Sequence, residues 1–202
     1  DKGTILVTCM QVNNETGAVN DIAKIAAAAR KASPDVIIHC DAVQGYMRLP
    51  KSLLFPADIV TVSAHKIGGP KGAGALFASE GVIKKKSMIP VIFGGGQEHG
   101  LRSGTENVLG IAGFGAAVDF FANNQTSIYS HFDRLYSYAV DRFSALGNDG
   151  ISLNIPQTER VAHHILSVTA HGVRSETMLH FLSSEGVFVS SGSACSSNTK
   201  SR

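Results

Sequence analysis

Three short apolar segments most constrain the fold of this chain: Thr4-Ile5-Leu6-Val7-Thr8-Cys9-Met10, Val36-Ile37-Ile38-His39-Cys40-Asp41 and Ala57-Asp58-Ile59-Val60-Thr61-Val62-Ser63. Each is too short for a typical helix. Each is also apolar at most positions rather than every second one, the pattern of a strand buried on both faces. Between the first two lies NNETGAVNDIAKIAAAARKA, with turn residues, a cap at Asn20, and Ile22, Ile25, Ala26 and Ala29 at helical spacing. Strand, helix and strand in that order predict an α/β sheet covered on both faces. A further strand, Ala75-Leu76-Phe77-Ala78, follows the glycine-rich stretch SAHKIGGPKGAG.

The second half is organised differently. Small residues Gly110, Ala112, Gly113 and Ala116 allow close packing of a helix predicted from Asn107 to Phe121, and NNQTS then reads as a break. Beyond it come an amphipathic helix, IYSHFDRLYSYAVDRFSAL, a strand, HHILSVTA, a helix capped by Ser175 and stopped by Gly186, and a strand, VFVSS. The expected division is a domain over 1–123 and a smaller α/β domain over 124–202. On a strand, His163 and His164 point to opposite faces, which argues against a shared metal.

Bulk properties exclude several classes. A formal charge of +2, with Lys84-Lys85-Lys86 as the longest basic run, is too weak to indicate nucleic acid or a membrane surface. No window approaches the ~20 consecutive apolar residues of a membrane span. The three cysteines, Cys9, Cys40 and Cys195, are odd in number, widely spaced and without a C-x-x-C pair, so neither a disulfide framework nor a zinc site is indicated. A reducing, cytoplasmic compartment is expected. Position 1 is Asp and the chain enters a strand almost at once, as a fragment beginning within a fold does.

In open α/β sheets, ligands collect at the carboxyl ends of strands. Asp41 occupies one such end, and Ser63-Ala64-His65-Lys66 another. Singly, Asp41 reads equally as a helix cap and Lys66 as a solvated loop lysine. Together they form the minimal pair for pyridoxal phosphate chemistry: an amine that captures an aldehyde, and an acid that keeps a pyridine nitrogen protonated so that the ring accepts electrons. Gln44 can donate to the ring phenolate oxygen, and Ser63 can bind phosphate. The competing reading of GGPKGAG as a nucleotide phosphate loop fails, because no lysine there is preceded by glycine and followed by Ser or Thr in the required frame.

At this point the chain resembles a known family. NNETG, DAVQG, SAHKIGGPKG, HGLRSGTEN and SSGSACSS occur in the order and at the approximate spacing of the cysteine desulfurases, class-V aminotransferase-like enzymes that mobilise sulfur for iron–sulfur clusters. The resemblance spans nearly the whole chain. It implies the fold type I architecture of pyridoxal 5′-phosphate enzymes, with part of a large cofactor-binding domain followed by most of a small one. Lys66 matches the lysine that carries the cofactor and Asp41 the partner of its ring nitrogen. Asn14 and Gln44 match cofactor and substrate contacts, and Ser63 and His65 match phosphate ligands. Thr105 matches the residue that reaches the phosphate of a partner subunit's cofactor.

Cys195 matches the nucleophile that receives sulfur. SSGSACSS is similar to the longer, mobile loop of the nitrogen-fixation and iron–sulfur assembly branch; runs of Ser and Gly have little to bury and let a thiol travel. The activity implied is conversion of L-cysteine to L-alanine, with sulfur held as a persulfide on Cys195 and passed to a scaffold or sulfur-carrier protein. A homodimer is implied. Nucleic acid enters only indirectly, through sulfur transfer to tRNA-modifying proteins. No resident metal is implied, Cys195 being at most a transient iron–sulfur ligand. Selenocysteine lyase, a related lyase on the same fold and a non-catalytic fragment are the alternatives. In the family, a phosphate-binding turn and a ring-stacking histidine precede the region matched here, and an arginine that clamps the substrate carboxylate follows it. Arg102 is a substitute for that clamp only in principle.

Overall fold

In the computed structural model, which describes residues 1–54, 56–85, 87–147 and 150–192, the three apolar segments form the strands β1 (Leu6–Met10), β2 (Ile37–Asp41) and β3 (Ile59–Ser63). They pair in parallel and in that order, and β4 (Gly74–Ala78) adds antiparallel to β3. The parallel step from β1 to β2 is made through α1 (Ile22–Ala32). Its cap is Asp21, whose carboxylate accepts the Lys24 N–H at 3.0 Å. Asn20, the expected cap, instead donates its side-chain amide to the Met10 carbonyl at 2.8 Å and so ties the turn to the end of β1.

α1 turns Ile22 and Ala26, one helical turn apart, onto the sheet. There they meet Ile38 and Cys40, both with no exposed surface, together with Val60 and Ala42. Fully burying a side chain such as Ile38 contributes about 1.5–3 kcal/mol. Asp58 closes the opposite end of this layer: its Oδ2 accepts the Ile38 N–H at 2.8 Å and an Arg30 N–H at 2.9 Å, joining α1, β2 and the start of β3. Cover on both faces is not realised within the described residues. Ile37, His39 and Asp41, which alternate with Ile38 and Cys40, stay partly open, and Leu6, Leu76 and Phe77 are about half exposed at 49, 51 and 59%. Apolar composition reports that a strand can be buried twice over, whereas packing here supplies α1 to one side.

After the short α2 (Glu80–Lys84), the long α3 runs from Val108 to Ser144. The break expected at NNQTS is absent, for a local reason. The Asn124 side chain donates to the Phe120 carbonyl and the Ser127 hydroxyl to the Asn124 carbonyl, both at 2.8 Å. These polar side chains fold back onto the preceding turn instead of competing for the helix backbone.

The chain divides into two compact units, residues 1–12 with 20–128, and residues 13–19 with 129–202. In the second, β5 (Ile151–Leu153) pairs antiparallel with β6 (Val168–Ala170). The expected strand HHILSVTA is therefore ladder only at its end. Ala162 donates to the Gly17 carbonyl at 2.8 Å, and Val161 bridges Ala18, so the stretch before β6 turns to meet the NNETG loop. His163 and His164 lie in that turn, not on a strand: His163 Nδ1 is 2.7 Å from Asp133 Oδ1, and its ring stacks on Tyr136 at 4.5 Å. α4 (Ser175–Ser184) has Arg174 rather than Ser175 at its cap position. It ends as expected at Gly186, with Val187 N–H donating to Leu182 and Gly186 N–H to Ser183. Val187–Ser190 of VFVSS form no strand. No helix among the described residues is long and apolar enough to cross a membrane.

Candidate functional site

The carboxyl ends of β2 and β3 lie side by side, because Asp41 is in register with Thr61 and Ala42 N–H donates to the Thr61 carbonyl at 2.9 Å. Asp41 is the last residue of β2 and Ser63 the last of β3. A 3-10 turn, Ala64–Ile67, follows directly and carries His65 and Lys66. Gly68 ends it in the left-handed conformation, φ 79°, which a side chain would disfavour and which turns the chain back towards β4.

Asp41 uses one oxygen locally: Oδ1 accepts the Val43 N–H at 3.0 Å. DAVQ therefore opens a turn rather than a helix, and Oδ2 has no hydrogen-bond partner among the described residues. The Ser63 hydroxyl and His65 Nδ1 are 2.7 Å apart, placing two groups that can donate to an anion together. Lys66 and Gln44 are half-buried at the same strand ends.

Five of the expected residues, Asp41, Gln44, Ser63, His65 and Lys66, thus belong to adjacent strand ends of one unit. Thr105 is in that unit as well, exposed in the segment before α3, where Asn107 caps the helix by accepting the Gly110 N–H at 3.0 Å. Asn14 belongs to the other unit, in the turn 14–16 of the NNETG loop, which Asn13 braces by accepting the Glu15 and Thr16 N–H groups at 3.0 and 2.9 Å. Arg102, exposed, donates to the Ser103 carbonyl at 2.8 Å. Cys195 lies outside the described residues.

Cys9 and Cys40 are Cα partners across β1 and β2. Burial, reinforced by the neighbouring Cys9 and then Asp41, pushes the Cys40 thiol from the usual 9.0 up to about 12, and burial also raises Cys9. Burial thus favours the protonated form of both thiols, which lowers their nucleophilicity at neutral pH.

Three further residues border the strand ends without having stood out in the sequence. His39, two residues before Asp41 on the same face, bridges the flanking strands: Nδ1 is 2.6 Å from Thr8 Oγ1 and Nε2 is 3.1 Å from Thr61 Oγ1. Arg48 hydrogen-bonds Gln44 Oε1 at 3.4 Å and also donates to the main-chain oxygen of Lys66. Gln11 is 1% exposed, and both amide atoms are buried without partners. It packs so closely under DAVQG that a Cβ at Gly45 would fall 1.9 Å from its Oε1. His39 and Arg48 reach the site through their nearness in sequence to Asp41 and Gln44, whereas Gln11 is brought there by packing from the end of β1; a polar Gln after an apolar strand is the one sequence signal among them.

The sequence model of the family described as Aminotransferase class-V matches residues 1–202. The chain is 36% identical over 199 residues to the cysteine desulfurase IscS of Dictyoglomus turgidum, covering 98% of this chain and 48% of that one. It is 38% identical over 196 residues to the cysteine desulfurase IscS of Pseudomonas putida, covering 96% and 46%. Among solved structures it is similar to a NifS-like protein, with a TM-score of 0.82, 34% identity, and 95% of this chain and 50% of that chain covered. It is also similar to the NifS-like protein of Rickettsia africae, with a TM-score of 0.78, 32% identity, and 94% and 51% covered. The chain spans about half the length of the curated relatives it matches. The architecture is that of fold type I, and the cofactor of these enzymes is pyridoxal 5′-phosphate. Matched from end to end by its sequence model, and carrying an acid, a lysine and a Ser–His pair on neighbouring strand ends, the chain belongs to the class-V aminotransferase family.

Proposed function

We propose that the chain is the part of a cysteine desulfurase that binds pyridoxal 5′-phosphate and holds the sulfur-accepting thiol, converting L-cysteine to L-alanine with sulfur retained on Cys195. The observation that carries this is the placement of Asp41, Ser63, His65 and Lys66 on the adjacent ends of β2 and β3. The donor set fits the cofactor. Asp41 keeps Oδ2 free to hold a proton on a ring nitrogen. Ser63 and His65 suit a phosphate, and Lys66 an aldehyde.

When bound, the cofactor supplies an electron sink for the carbon from which the substrate α-proton leaves. The chain's own residues do the rest. Asp41 keeps the ring nitrogen protonated, and the Lys66 Nζ takes the α-proton. Cys195 Sγ attacks the substrate sulfur as a thiolate. An S–S bond forms and the C–S bond breaks, its electron pair staying with the three-carbon fragment, which takes up one proton at Cβ, regains at Cα the proton held by Lys66 Nζ, and leaves as alanine. Cysteine plus thiol therefore balances as alanine plus persulfide, with no outside oxidant.

The sulfur then passes to a thiol of a scaffold or carrier protein. The exposed Val108 and Leu109, 70 and 86% accessible just after Thr105, support a second copy of the chain as partner. A reducing, cytoplasmic location belongs to the same reading, from an odd number of widely spaced cysteines without a C-x-x-C pair. The test uses the full-length protein. Borohydride reduction with pyridoxal 5′-phosphate should fix the label on Lys66, and L-cysteine should then yield alanine and a persulfide on Cys195. Cys195→Ser should lose the persulfide and keep the label; a label at another lysine refutes the site.

A further inference from the structure

We propose that Arg48 is a positioning residue of this site, one that dictates which end of the Gln44 amide is presented to the cofactor and locks that amide to the backbone of Lys66. The inference rests on the cofactor reading above and adds a residue to it.

Donor chemistry sets the orientation of the Gln44 amide. A guanidinium has five N–H donors and no acceptor, so the Gln44 atom it contacts through Nη1 at 3.4 Å must be the carbonyl oxygen. The amide NH2 is then the end left to face a ligand, and it can only donate. A donor is what an anionic ring oxygen requires, whereas the flipped amide would set oxygen against oxygen. Without Arg48, the two flips of Gln44 differ little, since no other side chain is recorded on its amide among the described residues.

Arg48 also donates to the main-chain oxygen of Lys66. One planar group thus joins DAVQG to SAHKIG, and the spacing between Gln44 and Lys66 becomes that of a rigid fork. The arrangement is costly for stability alone. Arg48 is half-buried, with no carboxylate paired to it among the described residues; its Nε is buried without a partner, and burial lowers its pKa. A cation held by two neutral carbonyls forgoes the pairing that normally offsets desolvation. Positioning two cofactor-facing groups gives that cost a purpose.

The experiment is a double-mutant cycle on the full-length protein, with wild type, Arg48→Met, Gln44→Ala and the double variant, and Arg48→Lys alongside. The readouts are the visible absorption maximum of bound pyridoxal 5′-phosphate and its dissociation rate into a trap. Arg48→Met should displace the absorption maximum in the direction Gln44→Ala does and speed cofactor loss about tenfold, and the double variant should match Gln44→Ala in absorption maximum. Arg48→Lys, with a single point of donation, should fall between. If Arg48→Met does not accumulate as folded protein, Arg48→Lys takes its place in the cycle. Unchanged absorption and dissociation in the Arg48 variants, or shifts fully additive with those of Gln44→Ala, overturn the proposal. A wild-type protein that gives no cofactor band overturns the cofactor reading and this inference with it.

Discussion

Thiol reactivity offers a quantitative test of how the sheet core is built. Cys40 has no exposed surface, and its thiol is pushed up to about 12, chiefly by burial and then by Cys9 and Asp41. At pH 8 such a group is thiolate to about one part in 10^4, against roughly a tenth for a thiol at the usual 9.0. Because alkylation proceeds through the thiolate, Cys40 should react with iodoacetamide on the order of 10^3 times more slowly than free cysteine, before any shielding of Sγ is counted. Cys9, raised in the same direction, should also lag.

Pulsed labelling with isotope-coded iodoacetamide, followed by peptide mass spectrometry, measures each site. Cys195 is expected to label first and Cys40 only as urea unfolds the chain. Labelling of Cys40 within tenfold of free cysteine in native buffer would refute the packing argument. The same shift has a thermodynamic consequence. With the folded-state value above the unfolded one, the unfolded chain loses its proton first, so stability is retained up to about pH 9 and falls towards pH 12, by ~1.4 kcal/mol per unit.

Gly45→Ala should destabilise the first unit by about 1–3 kcal/mol in urea denaturation, because its Cβ would fall on Gln11 Oε1, and Gln11→Ala should restore most of the loss. Failure of the second change to rescue the first would show that the two are not in contact. Asp58→Asn removes the charge from a bridge whose side chains are 39 and 26% exposed while keeping an acceptor for Ile38 N–H, so a loss of about 1 kcal/mol is expected; a gain in stability would contradict the role given to it.

Much of the site was legible because its chemistry is concentrated at strand ends. Asp41 and Ser63 each close an apolar run, so identifying the strand also locates the residue. Errors arose where local signals compete with contacts made elsewhere. NNQTS has the composition of a turn, yet Asn124 and Ser127 find acceptors one turn back and the helix continues. HHILSV has the composition of a strand, but Val161 and Ala162 pair with the Ala18 and Gly17 backbone, leaving only Val168–Ala170 for the ladder. Asn20 and Asp21 are both competent caps, and the choice between them was made by the Met10 carbonyl.

Hydrophobic runs and turn residues were sufficient to specify β1 to β4, α1 and the two motifs that end in Asp41 and Lys66, because backbone geometry and side-chain burial act over a few residues. Which helix covers which face of β2, the elevated thiol of Cys40 and the reach of Arg48 from Gln44 to Lys66 came from packing. Each depends on partners many residues away in sequence, whose distance and solvent exposure are set only when the chain has folded.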